Sequence, residues 1–167
     1  MEKNYKEILN QIQAFVFDVD GVLTDGNVIA ISNGEQLRRM STRDGFAITD
    51  AITKGYKMAI ITGGNNKGVK ERLKYLGVED IYLPSKNKVK DYNNFKNKYA
   101  LNDDDILYMG DDIPDLKVMS FPIMPCCPSN AVPEIKSISK YISPNKGGGG
   151  CVRDVIEQTL KVQNKWY

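Results

Sequence analysis

No histidine occurs in the 167-residue chain. That absence excludes a Ser-His-Asp triad, histidine general-base catalysis and histidine metal sites. Cysteine is sparse: Cys126, Cys127 and Cys151 form neither a zinc-ligand spacing nor an even disulfide set, and they imply a reduced, cytoplasmic setting. No apolar run approaches the roughly 20 residues that span a bilayer, and the opening MEKNYKEILNQIQ lacks an apolar signal core. Charge excess is also missing, since 23 Lys and Arg face 21 Asp and Glu. Neither a nucleic-acid partner nor a membrane is expected.

What is present is the composition of a folded domain, 41% hydrophobic and 26% charged. One domain over residues 1–167 is expected, large enough to bury a core without disulfides. Apolar runs at 13–18 (QAFVFD), 57–62 (KMAIIT), 81–83 and 106–109 (ILYM) read as short buried strands. Helical patterns at 45–53, 67–76, 89–99 and 114–119 alternate with them. This alternation predicts an α/β fold, a parallel sheet flanked by helices, with ligands collecting at the carboxyl ends of the strands. Asp18, Thr62 and Asp111 then meet at one edge. Residues 27–38, with a turn at Ser32-Asn33-Gly34, read as a β-hairpin inserted after the first strand. Near the end, Gly147 to Gly150 read as a hinge before a terminal helix at about 152–161, the two forming a tail over 147–167.

The strongest chemical signal is Asp18-Val19-Asp20-Gly21-Val22-Leu23-Thr24-Asp25-Gly26. Two carboxylates one residue apart leave a strand on the same side, so one can attack phosphorus while the other manages the proton. An isolated DxD pair is commonly only a turn. Here a second acidic motif, Gly110-Asp111-Asp112-Ile113-Pro114-Asp115, follows another apolar strand. Asp111 there can complete an oxygen-rich Mg²⁺ site with Asp18. Asp112 caps a helix, and Asp115 orients its neighbours from behind the metal ligands. Thr62, with backbone N–H groups at Gly63, is placed to hold a phosphate oxygen, and Lys88 at a helix start supplies a fixed positive charge.

DVDGVLTDG, Ile61-Thr62-Gly63, Lys88 and GDDIPD, in that order, resemble the four motifs of the haloacid dehalogenase superfamily. From about residue 14 to 160 the chain is similar to its small capless branch, typified by 3-deoxy-D-manno-octulosonate 8-phosphate phosphatase and including nonulosonate 9-phosphate phosphatases. The hairpin, Arg43-Asp44-Gly45 and GGGGCVRDV all fit. The resemblance implies a Rossmann-like core without a cap domain, an aspartyl-phosphate mechanism and a sugar acid phosphate as substrate, as in lipopolysaccharide precursor synthesis. It also implies a homotetramer joined through the hairpins, and a C-terminal tail, including Arg153, that folds over a neighbouring site.

In that branch Mg²⁺ is held by the residues matching Asp18, the Asp20 backbone carbonyl and Asp111. Asp18 is the nucleophile, Asp20 the general acid and then base, and Thr62 and Lys88 bind phosphate. Further substrate contacts match Ser41, Thr42, Arg43, Asp44, Gly45 and Arg72. The chain departs from the pattern at Gly64 and Thr49, where octulosonate phosphatases carry arginine; nonulosonate enzymes carry an acid at the first of these. A 9-phosphate phosphatase and a broad sugar phosphatase are therefore rival readings of the substrate. A phosphomutase needs a larger cap. A phosphorylatable receiver carries its reactive aspartate on a middle strand rather than the first. An inactive interaction protein has no need of every charge that turnover requires.

Overall fold

The computed structural model describes residues 4–167, so the first three residues of the expected domain lie outside the described residues. A short helix α1 (Tyr5–Leu9) leads into β1 (Ala14–Phe17), whose four residues are all buried. The hairpin follows as β2 (Ile29–Ala30) and β3 (Gln36–Leu37), paired antiparallel with Ile29 opposite Leu37. Then come α2 (Thr42–Thr53), β4 (Lys57–Ile61), α3 (Lys67–Tyr75), β5 (Asp80–Tyr82), α4 (Lys88–Lys98) and β6 (Ile106–Met109). The chain closes with α5 (Ile113–Leu116), β7 (Met124–Cys127), α6 (Pro133–Ile138), β8 (Tyr141–Ile142) and α7 (Cys151–Val162).

Six strands form one sheet in the order β5-β4-β1-β6-β7-β8, with every pairing parallel. Beginning at the centre, the chain steps to one side through β4 and β5, then returns to β6 on the other side of β1. The order thus reverses at β1, and in such sheets ligands bind in the crevice beyond the strand ends at that point.

Side chains alternate across β1. Phe15 and Phe17 join a core with Met58, Ile60, Leu107 and Met109, while Ala14 and Val16 join a second core with Ala59, Ile61, Ile106 and Tyr108. The first core is covered by α2 and α7, which pack closely on one another. Val152, Val155, Ile156 and Leu160 recur at helical spacing on the buried face of α7. On the other face, Tyr92 and Phe95 of α4 and Ile135 of α6 seal the second core.

Elements expected from sequence are present with shifted ends. α2 begins three residues before the expected start at 45, because the Ser41 side chain caps it by accepting from the Asp44 N–H at 3.3 Å. β7 and β8, together with α1 and α6, add to the expected elements. Residues 147–150, read as a hinge, lie packed on the loop after β1. The Gly148 N–H donates to the Val22 carbonyl at 2.9 Å, and a Cβ at Gly147 would overlap the Gly21 carbonyl. The tail beyond α7 turns back onto α2 of its own chain, where the Tyr167 hydroxyl donates to Asp50 at 2.9 Å and Trp166 meets Phe46 edge-on.

Candidate active site

Asp18 leaves β1 with its backbone N–H still donating to the Met109 carbonyl of β6 at 3.1 Å. The sheet therefore fixes the position of this carboxylate. The chain then makes a tight turn over 19–23, in which Gly21 has φ +92°. Any Cβ at Gly21 would overlap the Asp111 carboxylate, so the glycine gives both the left-handed turn and the room for the second acid. Thr24, fully buried, ties the turn together: its hydroxyl accepts from the Gly21 N–H at 3.3 Å and the Gly26 N–H at 3.2 Å. Thr24 received no role from the sequence, although it stands inside the first motif.

Lys88 opens α4 and points into the same place, with Nζ 2.9 Å from Asp18 and 2.7 Å from Asp115. Asp115 is only 1% exposed. It also accepts from the Tyr108 hydroxyl at 2.8 Å and the Asp111 N–H at 3.3 Å, so donors already occupy both of its oxygens. Asp112 is exposed and accepts from the Ile113 N–H at 2.8 Å, as a cap should. Thr62 lies at the end of β4, its backbone held by the Tyr82 carbonyl and its hydroxyl accepting from the Gly64 N–H at 3.3 Å.

Asp18, Asp20, Thr62, Gly63, Lys88 and Asp111 line a single cleft. Ser85 and Lys86 line it too, and neither was singled out in the sequence. Ser41, Thr42, Arg43, Asp44, Gly45 and Arg72 do not line this cleft within one chain. Asp44 is buried and accepts from the Arg153 N–H at 2.8 Å, and burial pushes its carboxyl above the ordinary value. Arg72 passes across the missing side chain of Gly45 and over the Tyr75 ring. Arg43 borders a separate groove with Arg153. Thr49 is also elsewhere, donating to the Leu76 carbonyl at 3.2 Å.

The electrostatics of the cleft are those of crowded, buried acids. Burial, then repulsion from Asp115, raises Asp18 to about 7 against the opposing pull of Lys88. Burial, then Asp18, Asp115 and Asp112, raises Asp111 likewise to about 7. Burial pulls Lys88 down, but Asp18 and Asp115 outweigh it and hold the ammonium above its ordinary range.

Oxygens of Asp18, Asp111 and Asp115 lie within 4.8 Å of one another, and Asp111 Oδ1 is buried without a hydrogen-bond partner. A bare buried carboxylate oxygen beside a second acid, with only oxygen donors near, fits a hard divalent cation. The Asp20 side chain is not in this cluster. Instead Asp20 takes a two-pronged pair from Arg38, Nε to Oδ1 at 2.7 Å and Nη2 to Oδ2 at 3.0 Å. Arg38 was missed in the sequence because an arginine on a hairpin stem reads as solvent-facing.

Residues 77–155 match the haloacid dehalogenase-like hydrolase family. The chain is 34% identical to the 3-deoxy-D-manno-octulosonate 8-phosphate phosphatase of Escherichia coli (strain K12) over 154 residues, 92% of this chain and 82% of that protein. The fold is similar to the crystal structure of 3-deoxy-D-manno-octulosonate 8-phosphate phosphatase from Yersinia pestis, with a TM-score of 0.95 at 30% identity, covering 99% of this chain and 89% of that one. It is also similar to the Moraxella catarrhalis phosphatase of that name, solved with magnesium ion, phosphate ion and a KDO molecule (TM-score 0.93, 32% identity, covering 96% and 92%). Among the described residues no helix is long and apolar enough to cross a membrane.

Proposed function

This chain is a phosphatase of the haloacid dehalogenase family, in the branch of the 3-deoxy-D-manno-octulosonate 8-phosphate phosphatases, and we propose that it hydrolyses that same sugar acid phosphate with Mg²⁺ as cofactor. The observation that carries the proposal is the meeting of Asp18, Asp111 and Lys88 at the ends of β1, β6 and the start of α4, with Lys88 Nζ 2.9 Å from the Asp18 carboxylate.

In the proposed mechanism Asp18 attacks phosphorus through a carboxylate oxygen, and the bond from phosphorus to the sugar oxygen breaks. Asp20, protonated for this step, gives its proton to the departing oxygen. The phosphoryl group is then an acyl phosphate on Asp18. Asp20, now a carboxylate, takes a proton from water as the water oxygen attacks phosphorus, and inorganic phosphate leaves with Asp18 restored. The Thr62 hydroxyl, the Gly63 backbone and Lys88 hold the phosphoryl oxygens throughout. Asp18, the Asp20 backbone carbonyl and Asp111 are the residues that would hold Mg²⁺, whose charge offsets the repulsion between acid and phosphate. Asp115 keeps Lys88 and Asp111 in place.

Assembly is part of the proposal. Val28, Ile29, Ile31 and Leu37 expose apolar surface on and beside the hairpin, and a homotetramer joined there would cover it. Ser41, Thr42, Arg43 and Arg72 lie off the cleft of their own chain, so a contact between them and substrate would be made in a neighbouring copy, whereas Asp44 and Gly45 are buried and would act by shaping that loop. A cytoplasmic location agrees with three free, buried cysteines.

The test is Mg²⁺-dependent phosphate release from the 8-carbon and 9-carbon acid phosphates side by side. Faster turnover of the 8-carbon ester is expected. Preference for the 9-carbon ester would move the assignment to a nonulosonate, and equal, weak rates would make this a broad phosphatase.

A further inference from the structure

Arg38 follows β3 directly, and its side chain is 7% exposed. Its neighbour Arg39 is 86% exposed and makes a single long contact to Asp25 at 3.5 Å. Adjacent residues on a strand point to opposite faces, so the hairpin turns one arginine outward and the other into the molecule. The inward guanidinium has one acidic partner among the described residues, Asp20, and it spans both carboxylate oxygens. A two-pronged, charge-assisted pair of this geometry is strong even with Asp20 partly exposed, yet Asp20 is the group needed at the leaving oxygen.

Two grooves meet at this pair. Asp20 and Gly64 line the cleft that holds Asp18. Arg38 lines the next groove, between the hairpin and α3, together with Asn65, Asn66 and Lys67. A Cβ at Gly64 would lie 3.5 Å from Asp20 Oδ2 and 3.8 Å from Arg38 Nη2. With no side chain at that position, nothing from residue 64 covers the pair, and its Asp20 end is one-third exposed (33%). The junction offers room for the remaining atoms of an ester seated at Asp18.

We propose that Arg38 is a specificity-determining residue that reads the carboxylate of the substrate. The substrate acid takes the guanidinium in place of Asp20, and this exchange of partners releases Asp20 to the leaving oxygen. Arginine suits the exchange because its planar fork accepts one carboxylate in the geometry of another. An ester without a carboxylate leaves the pair of Arg38 and Asp20 closed, so it is penalised in kcat as well as in KM. The inference rests on the sugar acid reading given above.

The experiment measures kcat and KM separately for wild type, Arg38→Gln and Arg38→Lys, with 3-deoxy-D-manno-octulosonate 8-phosphate and with glucose 6-phosphate. Wild type should favour the acid. In Arg38→Gln the acid-to-neutral ratio of kcat/KM should fall by roughly tenfold or more, the scale of one charge-assisted bidentate contact. Arg38→Lys, which keeps the charge without the fork, should recover part of the ratio; this second variant serves if the first fails to fold. An unchanged ratio, with both esters slowed equally, overturns the role of Arg38. A wild type without preference for the acid overturns the sugar acid reading itself.

Discussion

Lys88 lies 2.7 Å from Asp115, an acid that also accepts from the Tyr108 hydroxyl and the Asp111 N–H, and this contact places the ammonium beside Asp18. Asp115→Asn should keep the fold but loosen Lys88 and Asp111 together. Partners behind the metal ligands typically carry about 10- to 100-fold in affinity or activity. We expect kcat to fall by a factor in that range and the Mg²⁺ concentration for half-maximal rate to rise. Steady-state kinetics across a Mg²⁺ titration check both, and unchanged Mg²⁺ dependence would contradict the arrangement.

Asp18 and Asp111 tie stability to pH. Both stand near 7 in the folded chain, above the ordinary 3.8, so folded protein keeps protons that unfolded protein has released. Their contribution to stability therefore falls as pH rises from about 4 to about 7, and is level above that. A bound divalent cation reverses the effect, but in acid it must displace those protons first. Thermal unfolding should show Mg²⁺ raising the midpoint more at about pH 8 than at about pH 5. A shift independent of pH, or larger in acid, would contradict the reading.

The sequence carried β1, β4 and β6 clearly, because each is an apolar run that stops at a residue with chemistry: Asp18, Thr62, and Asp111 after a glycine. β7 was hidden by its own composition. Met124-Pro125-Cys126-Cys127 has a proline inside it, which argues against a strand in the body of a sheet. The Pro125 carbonyl still accepts from the Lys140 N–H at 2.8 Å, so the strand keeps its acceptor there although proline supplies no donor. β8, two residues long, is too short to show a period. Arg38 was invisible for a different reason: which of two adjacent arginines turns inward depends on hairpin register, and the flanking Leu37 and Met40, three residues apart, fall on opposite faces of a strand and favour neither.

Ile29 and Leu37 face each other across the hairpin, and both are exposed, Ile29 at 62%. If the hairpins join four copies, Ile29→Glu with Leu37→Glu should reduce the sedimenting mass from tetramer toward monomer. Activity should fall with it, because Ser41, Thr42 and Arg43 would lose the neighbouring cleft. Wild type sedimenting as a monomer would contradict the assembly.

The most direct test of the account is phosphate release by Asp18→Asn. The substitution removes the attacking oxygen charge while nearly preserving size, so Mg²⁺-dependent turnover should drop by about 10³ or more with the fold intact by circular dichroism. Turnover within a few-fold of wild type would show that Asp18 is not the nucleophile.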